Sequence, residues 1–190
     1  MIVGLLLAAG GATRFGSQKL LANVGGVPIV RRAADALIQC VQPTIVVVGS
    51  DAAAIAAALE GTYAVMFENQ EWAEGLSSSL RSGIRVMPRA AEAAVVCLGD
   101  QPGLDPEVIR AVIAHWQKTQ RPIVCARYRG ERGHPVLLAR SVFGDLESIT
   151  GDVGARALMM RDPSRVAFVD VDAVAPRDVD TPDDLAALDA

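Results

Sequence analysis

The sequence predicts an α/β protein in three layers, with a mostly parallel central sheet covered by helices on both faces. Six apolar runs have the length of strands, and several show no alternation of polar and apolar residues, which indicates strands buried on both faces. Helix-like stretches lie between these runs, and the connections are short. This alternation favours parallel strands joined by right-handed crossovers.

The elements follow one another in a regular order along most of the chain. The predicted strands cover residues 2–7, 44–48, 64–67, 93–98, 123–126 and 166–171. The predicted helices, each opened by a residue typical of a helix start, cover residues 29–39, 52–59, 77–86 and 106–117. Residues 129–135 predict a loop or hairpin, and residues 152–160 predict a short helix. Because ligands bind at the carboxyl ends of strands in open α/β sheets, site residues are expected directly after each strand.

Composition and charge limit the possible class of protein. The chain has 190 residues, of which 51% are hydrophobic and 21% charged, and this predicts one globular domain over residues 1–190. A formal net charge of −4 lacks the basic excess that binds nucleic-acid backbones, so no nucleic-acid partner is expected. Three widely spaced cysteines without a CxxC pattern are typical of reduced core thiols. The first apolar run lacks a basic flank and is too short to span a bilayer, so we expect a cytoplasmic protein with no membrane contact.

The connection after the first predicted strand is rich in glycine and carries two cations. It reads LAAGGATRFGSQK from Leu7 to Lys19. Its glycines let backbone N–H groups approach phosphate oxygens closely, since no Cβ atom is in the way. Arg14 can hold two oxygens of one phosphate and Lys19 supplies a point charge, so both could stabilise charge during phosphoryl chemistry. The loop fits neither the Walker pattern, because Ser17 stands in place of its lysine, nor GxGxxG. It predicts a polyphosphate-binding loop; the alternative is a turn with solvated charges.

A carboxylate stands at the end of the fourth predicted strand, in the segment CLGDQP of residues 97–102. Mg²⁺ prefers hard oxygen ligands and usually takes only one or two carboxylates from the protein. Asp100 is therefore a candidate magnesium ligand at the edge of the sheet where ligands bind. An aspartate in this position is also typical of a turn or a helix cap, and that alternative stays open on these grounds.

These segments resemble the MobA-like nucleotidyltransferases, whose members transfer nucleotides onto molybdopterin. The first loop is similar to the family signature LAAGxSxRxGxxK, with Ala12 in place of the usual serine, so a hydroxyl contact to phosphate is absent. The resemblance implies a Rossmann-like nucleotidyltransferase fold in which this loop binds the phosphates of an NTP. In related cytidylyl enzymes, a serine contacts the base from the helix that corresponds to residues 77–86 here, and this serine maps to Ser79. The implied nucleotide-binding residues are Ala8, Ala9, Gly10, Gly11, Arg14, Lys19 and Ser79.

Further motifs of the family follow in the family order. GDQP implies that Asp100 holds magnesium, and DVDTPDDL at residues 178–185 resembles DIDTPxDL, which implies Asp180 as the second ligand. Residues 181–184 are expected to form the cap and first turn of a final helix, and Asp180 could belong to that cap instead. GHPV at residues 133–136 and GDVGAR at residues 151–156 imply that His134 and Arg156 bind the acceptor. The alternatives are a turn histidine and a helix-surface arginine.

The resemblance implies a Mg²⁺-dependent enzyme that transfers CMP from CTP to molybdopterin and releases pyrophosphate. Arg14, Lys19 and Asp100 would be its catalytic residues. CTP is favoured because the guanylyl branch usually reads LAGG where this chain reads LAAG, and the product would pass to a molybdenum hydroxylase. The open alternatives are a guanylyl or nucleotide-sugar transferase, a molybdopterin carrier, and a redox enzyme that uses the crevice for a nicotinamide or a flavin.

Two other classes of site do not fit the sequence. Neither His115 nor His134 has a partner at metal-ligand spacing, which argues against a zinc site. No GxSxG pattern surrounds the serines at 77–79, which argues against a serine hydrolase.

Overall fold

The computed structural model describes residues 1–10 and 18–188, which form a seven-stranded sheet with helices on both faces. The strands are β1 (Ile2–Ala8), β2 (Asn23–Val24), β3 (Val27–Pro28), β4 (Thr44–Val48), β5 (Ala64–Glu68), β6 (Ala93–Leu98), β7 (Ile123–Tyr128), β8 (Glu131–Ala139) and β9 (Val166–Val171). The helices are α1 (Ile29–Ile38), α2 (Ala52–Ala58), α3 (Leu76–Arg85), α4 (Pro106–Thr119), α5 (Phe143–Leu146), α6 (Arg156–Arg161) and α7 (Pro182–Ala186). Short 3-10 helices cover Lys19–Leu21, Trp72–Glu74, Arg140–Val142 and Pro163–Arg165.

The strand order in the large sheet is β5-β4-β1-β6-β8-β7-β9. The first four strands of that order are parallel to one another, β7 is parallel to β9, and β8 is antiparallel to both of its neighbours. β2 and β3 form a separate small hairpin. The predicted three-layer α/β fold with a mostly parallel sheet is confirmed.

The region of β8 departs from the sequence-based expectation. Residues 129–135 do contain a hairpin turn, but β8 continues through them as a nine-residue strand inside the sheet. The sequence did not predict a strand here because Gly133 and Pro135 are both rare in central strands. The pairing with β7 shifts at this point: Cys125 pairs with Val136 and Ala126 pairs with Gly133, so His134 and Pro135 form a bulge. A bulge accommodates a proline, which has no N–H to give to the ladder.

Two hydrophobic clusters occupy the two faces of the sheet. Leu6 and Ala8 of β1 pack with residues of α1, α2 and α4 on one face. Leu5 and Leu7 pack with residues of α3, α5 and α6 on the other face. Because successive side chains of a strand point to opposite faces, burial of all four confirms the two-sided burial that the apolar run predicted.

The segment after β9 returns to the middle of the sheet. Val179 is fully buried in a third cluster with Val24 and Ile29, and its N–H donates to the carbonyl of Asp100 over 3.0 Å. We call residues 175–181 the tail segment. It brings the residues around position 180 to the end of β6, about eighty positions earlier in the chain. No helix in the described ranges is long and apolar enough to cross a membrane.

Candidate functional site: a cavity at the carboxyl ends of the strands

A cavity of about 580 Å³ opens at the carboxyl ends of β1 and β6. Most of the residues that the sequence singled out line it: Ala8, Ala9, Gly10, Lys19, Ser79, Asp100 and Asp180. Two others, Gly11 and Arg14, lie outside the described residues. The cavity therefore gathers residues from four separate stretches of the chain at the edge of the sheet where ligands of open α/β proteins bind.

Lys19 joins the two candidate metal ligands. Its Nζ atom donates to Asp100 Oδ2 over 2.8 Å and to Asp180 Oδ1 over 2.7 Å. The lysine side chain is 13% exposed and the Asp100 side chain 21%, whereas the Asp180 side chain is 56% exposed. One ammonium group thus lies between a mostly buried carboxylate and a solvated one.

Burial and charge act in opposite directions on these groups. Burial raises the pKa of Asp100, and the adjacent ammonium of Lys19 offsets only part of that effect. For Lys19, burial by itself lowers the pKa, but the two carboxylates outweigh it and the pKa is raised overall. Lys19 is therefore held as a cation. Its charge compensates the carboxylate of Asp100, which would be costly to bury without a partner.

The donor set suits a hard divalent cation that keeps several water molecules. Asp100 Oδ1 is buried and has no hydrogen-bond partner among the described residues, so one carboxylate oxygen remains for a ligand at the cavity. The described residues contain no group of three or more His, Cys, Asp or Glu side chains arranged to hold a metal. Two carboxylates without further protein ligands are typical of Mg²⁺ sites that complete their coordination with water and substrate phosphates.

The tail segment is tied to the turn after β6 by side chains as well as by the Val179 backbone. Gln101 Nε2 donates to Asp178 Oδ1 over 2.7 Å, and Gln101 is only 6% exposed. Asp178 itself lines the cavity. Sequence reasoning gave no role to Gln101 or Asp178; the signal available was only that each lies within two positions of a candidate ligand.

The last helix begins as the sequence predicted. Thr181 is the N-cap of α7: its side-chain oxygen accepts from the N–H of Asp184, and the Asp184 carboxylate accepts from the N–H of Thr181. Asp184 Oδ2 also accepts from the N–H of Asp180 over 3.1 Å. The backbone of Asp180 therefore belongs to the cap, while its side chain reaches Lys19.

Ser79 is held in the cavity wall by a buried asparagine. Asn69 is 2% exposed, and its Nδ2 donates to Ser78 Oγ over 2.9 Å and to Ser79 Oγ over 3.2 Å. Its Oδ1 accepts from the backbone N–H of Glu71 and from Ser82 Oγ. Because Ser79 Oγ accepts from Asn69, its own O–H can donate to a ligand.

The start of α3 is covered by the segment that contains Gly151 and Asp152. Leu76 N–H donates to Asp152 Oδ1 over 3.3 Å, and Ser77 N–H donates to the carbonyl of Gly151 over 3.2 Å. These contacts satisfy N–H groups that have no partner within the helix. Asp152 also lines the cavity, so this part of the GDVGAR motif forms its wall.

The structure does not bring His134 and Arg156 into the lining of the cavity. His134 lies in the bulge of β8, where burial lowers its pKa to about 4 although the charge of Asp100 acts the other way. Its carbonyl accepts from the Tyr128 hydroxyl over 2.7 Å. Arg156 is the exposed first residue of α6.

Residues 4–166 match the family model of the MobA-like NTP transferase domain. The chain belongs to this family. It is accordingly an NTP transferase by family.

Two relatives of this chain are named for different activities. The chain is 29% identical over 201 residues to a nicotine blue oxidoreductase of Paenarthrobacter nicotinovorans, an alignment that covers 98% of this chain and 96% of that protein. It is 32% identical over 108 residues to a probable molybdenum cofactor guanylyltransferase of Natronomonas pharaonis, covering 56% and 52% of the two chains.

A solved structure from Mycobacterium tuberculosis H37Rv is similar over nearly the whole chain. The crystal structure of Rv0371c superposes with a TM-score of 0.86 at 34% identity and covers 98% of this chain and 96% of that one. A second crystal structure of Rv0371c, a complex with manganese, superposes with a TM-score of 0.81 and covers 98% and 97%. That relative therefore binds a divalent cation.

Proposed function

We propose that this NTP transferase moves CMP from CTP onto the molybdenum pterin cofactor and releases pyrophosphate in a Mg²⁺-dependent reaction. The observation that carries the proposal is the meeting of Lys19, Asp100 and Asp180 in one cavity beside Ala8, Ala9 and Gly10 at the end of β1. A transferase of this kind needs a cation for the phosphates, oxygen ligands for a metal and a backbone that a nucleotide can approach closely.

Lys19 changes partners in this proposal. In the structure its ammonium neutralises the two carboxylates. When the triphosphate arrives, the same flexible side chain can turn to the phosphate oxygens, since a lysine acts as a point charge without directional demands. Together with Arg14 from the first loop it would stabilise the charge that develops on the reacting phosphate and the departing pyrophosphate.

The carboxylates that Lys19 leaves are the ligands we assign to Mg²⁺. Asp100 offers the buried Oδ1 that lacks a partner among the described residues, and Asp180 offers a solvated carboxylate. When bound, the ion neutralises phosphate charge and aligns the triphosphate. The manganese complex of the Mycobacterium tuberculosis relative supports a divalent cation in a chain of this fold.

The reaction itself needs no protein nucleophile. An oxygen of the terminal phosphate of the acceptor attacks the α-phosphorus of CTP, a new P–O bond forms, and the bond to the bridging oxygen breaks. Pyrophosphate leaves with that electron pair. The protein contributes position and charge: the chain holds the two substrates in line, and Lys19 and Arg14 stabilise the developing negative charge.

The choice of CTP rests on the first loop, which reads LAAG at positions 7–10 where guanylyl enzymes usually read LAGG. The molybdenum cofactor as acceptor is supported by the relative named as a molybdenum cofactor guanylyltransferase. We assign acceptor binding to His134 and Arg156, which lie outside the cavity lining and would act on a substrate that extends beyond it. The protein would work in the cytoplasm and pass its product to a molybdenum hydroxylase.

The decisive experiment measures pyrophosphate release by the purified protein with Mg²⁺ and molybdopterin, with CTP, GTP or ATP in parallel. We expect release with CTP, and loss of that release in Asp100→Asn. A matched control is Asp172→Asn, because the Asp172 side chain is 98% exposed and pairs with Arg129 outside the cavity. Release with GTP alone would replace CTP by GTP, and no release with any nucleotide would favour a molybdopterin carrier.

A redox function is the second candidate, because one relative that aligns with 98% of this chain is named an oxidoreductase. It requires a flavin or a nicotinamide in the crevice. An absorbance spectrum of the purified protein would reveal a bound flavin, and a titration with NADH or NADPH would reveal nicotinamide binding. Saturable binding of either, without pyrophosphate release, would favour the redox enzyme over the transferase.

A further inference from the structure

One wall of the cavity is an indole ring that no family motif accounts for. Trp72 opens the 3-10 helix Trp72–Glu74 after β5, and the residue lines the cavity together with Ala9 and Gly10. The residue is half-buried and packs partly against the hydrophobic cluster that contains Leu5 and Leu80. It therefore offers an aromatic surface to a ligand while the rest of the ring is held by the core.

Glycine at position 49 makes room for this ring. A Cβ atom at Gly49 would lie 2.6 Å from Trp72 Cγ, 2.7 Å from Trp72 Cβ and 2.5 Å from the carbonyl oxygen of Ala9. Real Cβ atoms do not approach other atoms so closely, so the ring packs directly on the backbone at the end of β4. The same distances show that Trp72 lies beside Ala9, the first residue after β1, in the segment that we assign to the nucleotide.

Hydrogen bonds hold the segment that carries Trp72 in the absence of a ligand. Asn69 N–H donates to the carbonyl of Val48 over 2.8 Å, and Asn69 Oδ1 accepts from the N–H of Glu71 over 3.0 Å. Ser78 Oγ donates to the carbonyl of Glu71 over 2.8 Å, and Gly75 N–H donates to the carbonyl of Trp72 over 3.1 Å. A ring held in this way loses little conformational freedom when a ligand stacks on it.

We propose that Trp72 is the residue on which the nucleobase of the NTP stacks. The inference rests on the proposed nucleotide-binding function, but it requires only that an NTP binds and not that CTP is the preferred one. Trp72 follows β5. It therefore lies at the carboxyl ends of the parallel strands β5, β4 and β1, where the first loop also begins. A base against the indole leaves the triphosphate free to reach Lys19 in the same cavity. Stacking tolerates every base, so Trp72 contributes affinity and position while other groups choose the base.

Intrinsic fluorescence tests the contact directly, because the chain has only two tryptophans. Trp116 lies in α4 outside the cavity lining, and its indole N–H has no hydrogen-bond partner among the described residues, so Trp116→Phe removes no such bond. We expect CTP to quench the fluorescence of Trp116→Phe, in which Trp72 is the sole tryptophan, and to leave Trp72→Phe unchanged. Quenching in Trp72→Phe alone would overturn the proposal, as would quenching in neither variant at CTP concentrations that saturate the wild type by calorimetry.

Affinity measurements separate stacking from a structural role. Trp72→Ala should weaken CTP binding by about fivefold to 150-fold, and Trp72→Phe, which keeps an aromatic ring, should recover most of it. Inorganic tripolyphosphate lacks a base, so its affinity should be the same in the wild type and in both variants. An equal loss of CTP and tripolyphosphate binding in Trp72→Ala would mean that the ring only supports the cavity, and would contradict the proposal.

The failure of this inference differs from the failure of the proposed function. If CTP binds and quenches Trp72 but no pyrophosphate is released with molybdopterin, the stacking role stands and the transfer reaction is wrong. If pyrophosphate is released with CTP but Trp72→Ala keeps the wild-type affinity for CTP, the transfer reaction stands and the stacking role is wrong.

Discussion

Asp100 and Asp180 accept hydrogen bonds from the same ammonium group, yet the fold holds them in different ways. Asp100 lies two residues after the central strand β6, and its side chain is 21% exposed. Asp180 lies on the tail segment, and its side chain is 56% exposed. The first carboxylate is positioned by the sheet, while the second is positioned by a segment that must itself be fastened to the sheet. A metal site built from both should therefore tolerate changes at position 180 better than changes at position 100.

The largest effect is expected from neutralising each carboxylate. Asp100→Asn should lower kcat by about 10³-fold, because the buried ligand cannot be replaced by water without loss of position. Asp180→Asn should lower it by about tenfold to 100-fold, since water can take the place of an exposed ligand. Steady-state pyrophosphate release with increasing Mg²⁺ measures both. An equal fall in kcat in the two variants would contradict the expectation that Asp100 matters more than Asp180.

Removal of Lys19 should have opposite effects on metal binding and on turnover. In Lys19→Met the two carboxylates lose their cation, so Mn²⁺ alone should bind about tenfold more tightly, whereas kcat should fall by about 10²-fold because the phosphates lose a charge partner. Electron paramagnetic resonance of free Mn²⁺ gives the affinity. The matched control is Lys118→Met, which removes the only other lysine of the chain from the exposed face of α4. If both variants bind Mn²⁺ alike, the bridge of Lys19 does not compete with the metal.

The stability of the protein at acidic pH should depend on His134. Burial lowers the pKa of His134 from 6.5 to about 4, so the unfolded chain takes up the proton more readily than the folded one. This contribution to stability is complete above about pH 6.5 and is lost as the pH falls towards 4, by about 2 kcal/mol between pH 7 and pH 4.5. Urea unfolding of wild type and His134→Gln at both pH values measures it.

The link to Asp100 can be read from the same histidine. The charge of Asp100 raises the pKa of His134, so Asp100→Asn should lower it further. An NMR titration of the His134 ring in both aspartate variants tests this difference. A shift in Asp180→Asn as large as that in Asp100→Asn would contradict the assignment of the effect to the buried carboxylate.

The smallest effect is expected from loosening the tail segment. Gln101→Leu removes the hydrogen bond to Asp178 with a side chain of similar size, which should cost about 1 kcal/mol or less in global stability. Turnover should fall by about threefold to tenfold, because Asp180 is then less well positioned. Amide hydrogen exchange should accelerate at residues 177–181 and stay unchanged in β6. Unchanged exchange in the tail segment would show that Gln101 does not hold it.

Much of the fold could be predicted because its signals are local. The apolar runs of β1 and β4 show by themselves that these strands are buried on both faces, and the caps of α4 and α7 lie within a few residues of the helices they begin. The longest element that was not predicted is β8, where Gly133 and Pro135 look like loop residues and only the bulge opposite Cys125 explains how they fit a strand.

The candidate site was predictable in part for the same reason. The first loop and the GDQP turn are short segments whose residue types point to phosphate and metal, and Asp180 was identified through the resemblance of its motif. His134 and Arg156 come from motifs of the same kind but do not line the cavity, and their role in acceptor binding stays a proposal. The close packing of Trp72 on Gly49 gave no sequence signal, because one residue follows β4 and the other opens a 3-10 helix after β5.

The sequence by itself determined most of the alternation of strands and helices, the family, and the residue types available at the end of most strands, because these depend on neighbours a few positions apart. Only the tertiary structure decided that Lys19 bridges Asp100 and Asp180, that Gln101 holds the tail segment, and that an indole forms a wall of the cavity. Each of these contacts joins residues tens of positions apart, and their geometry exists only after the sheet has brought its strand ends together.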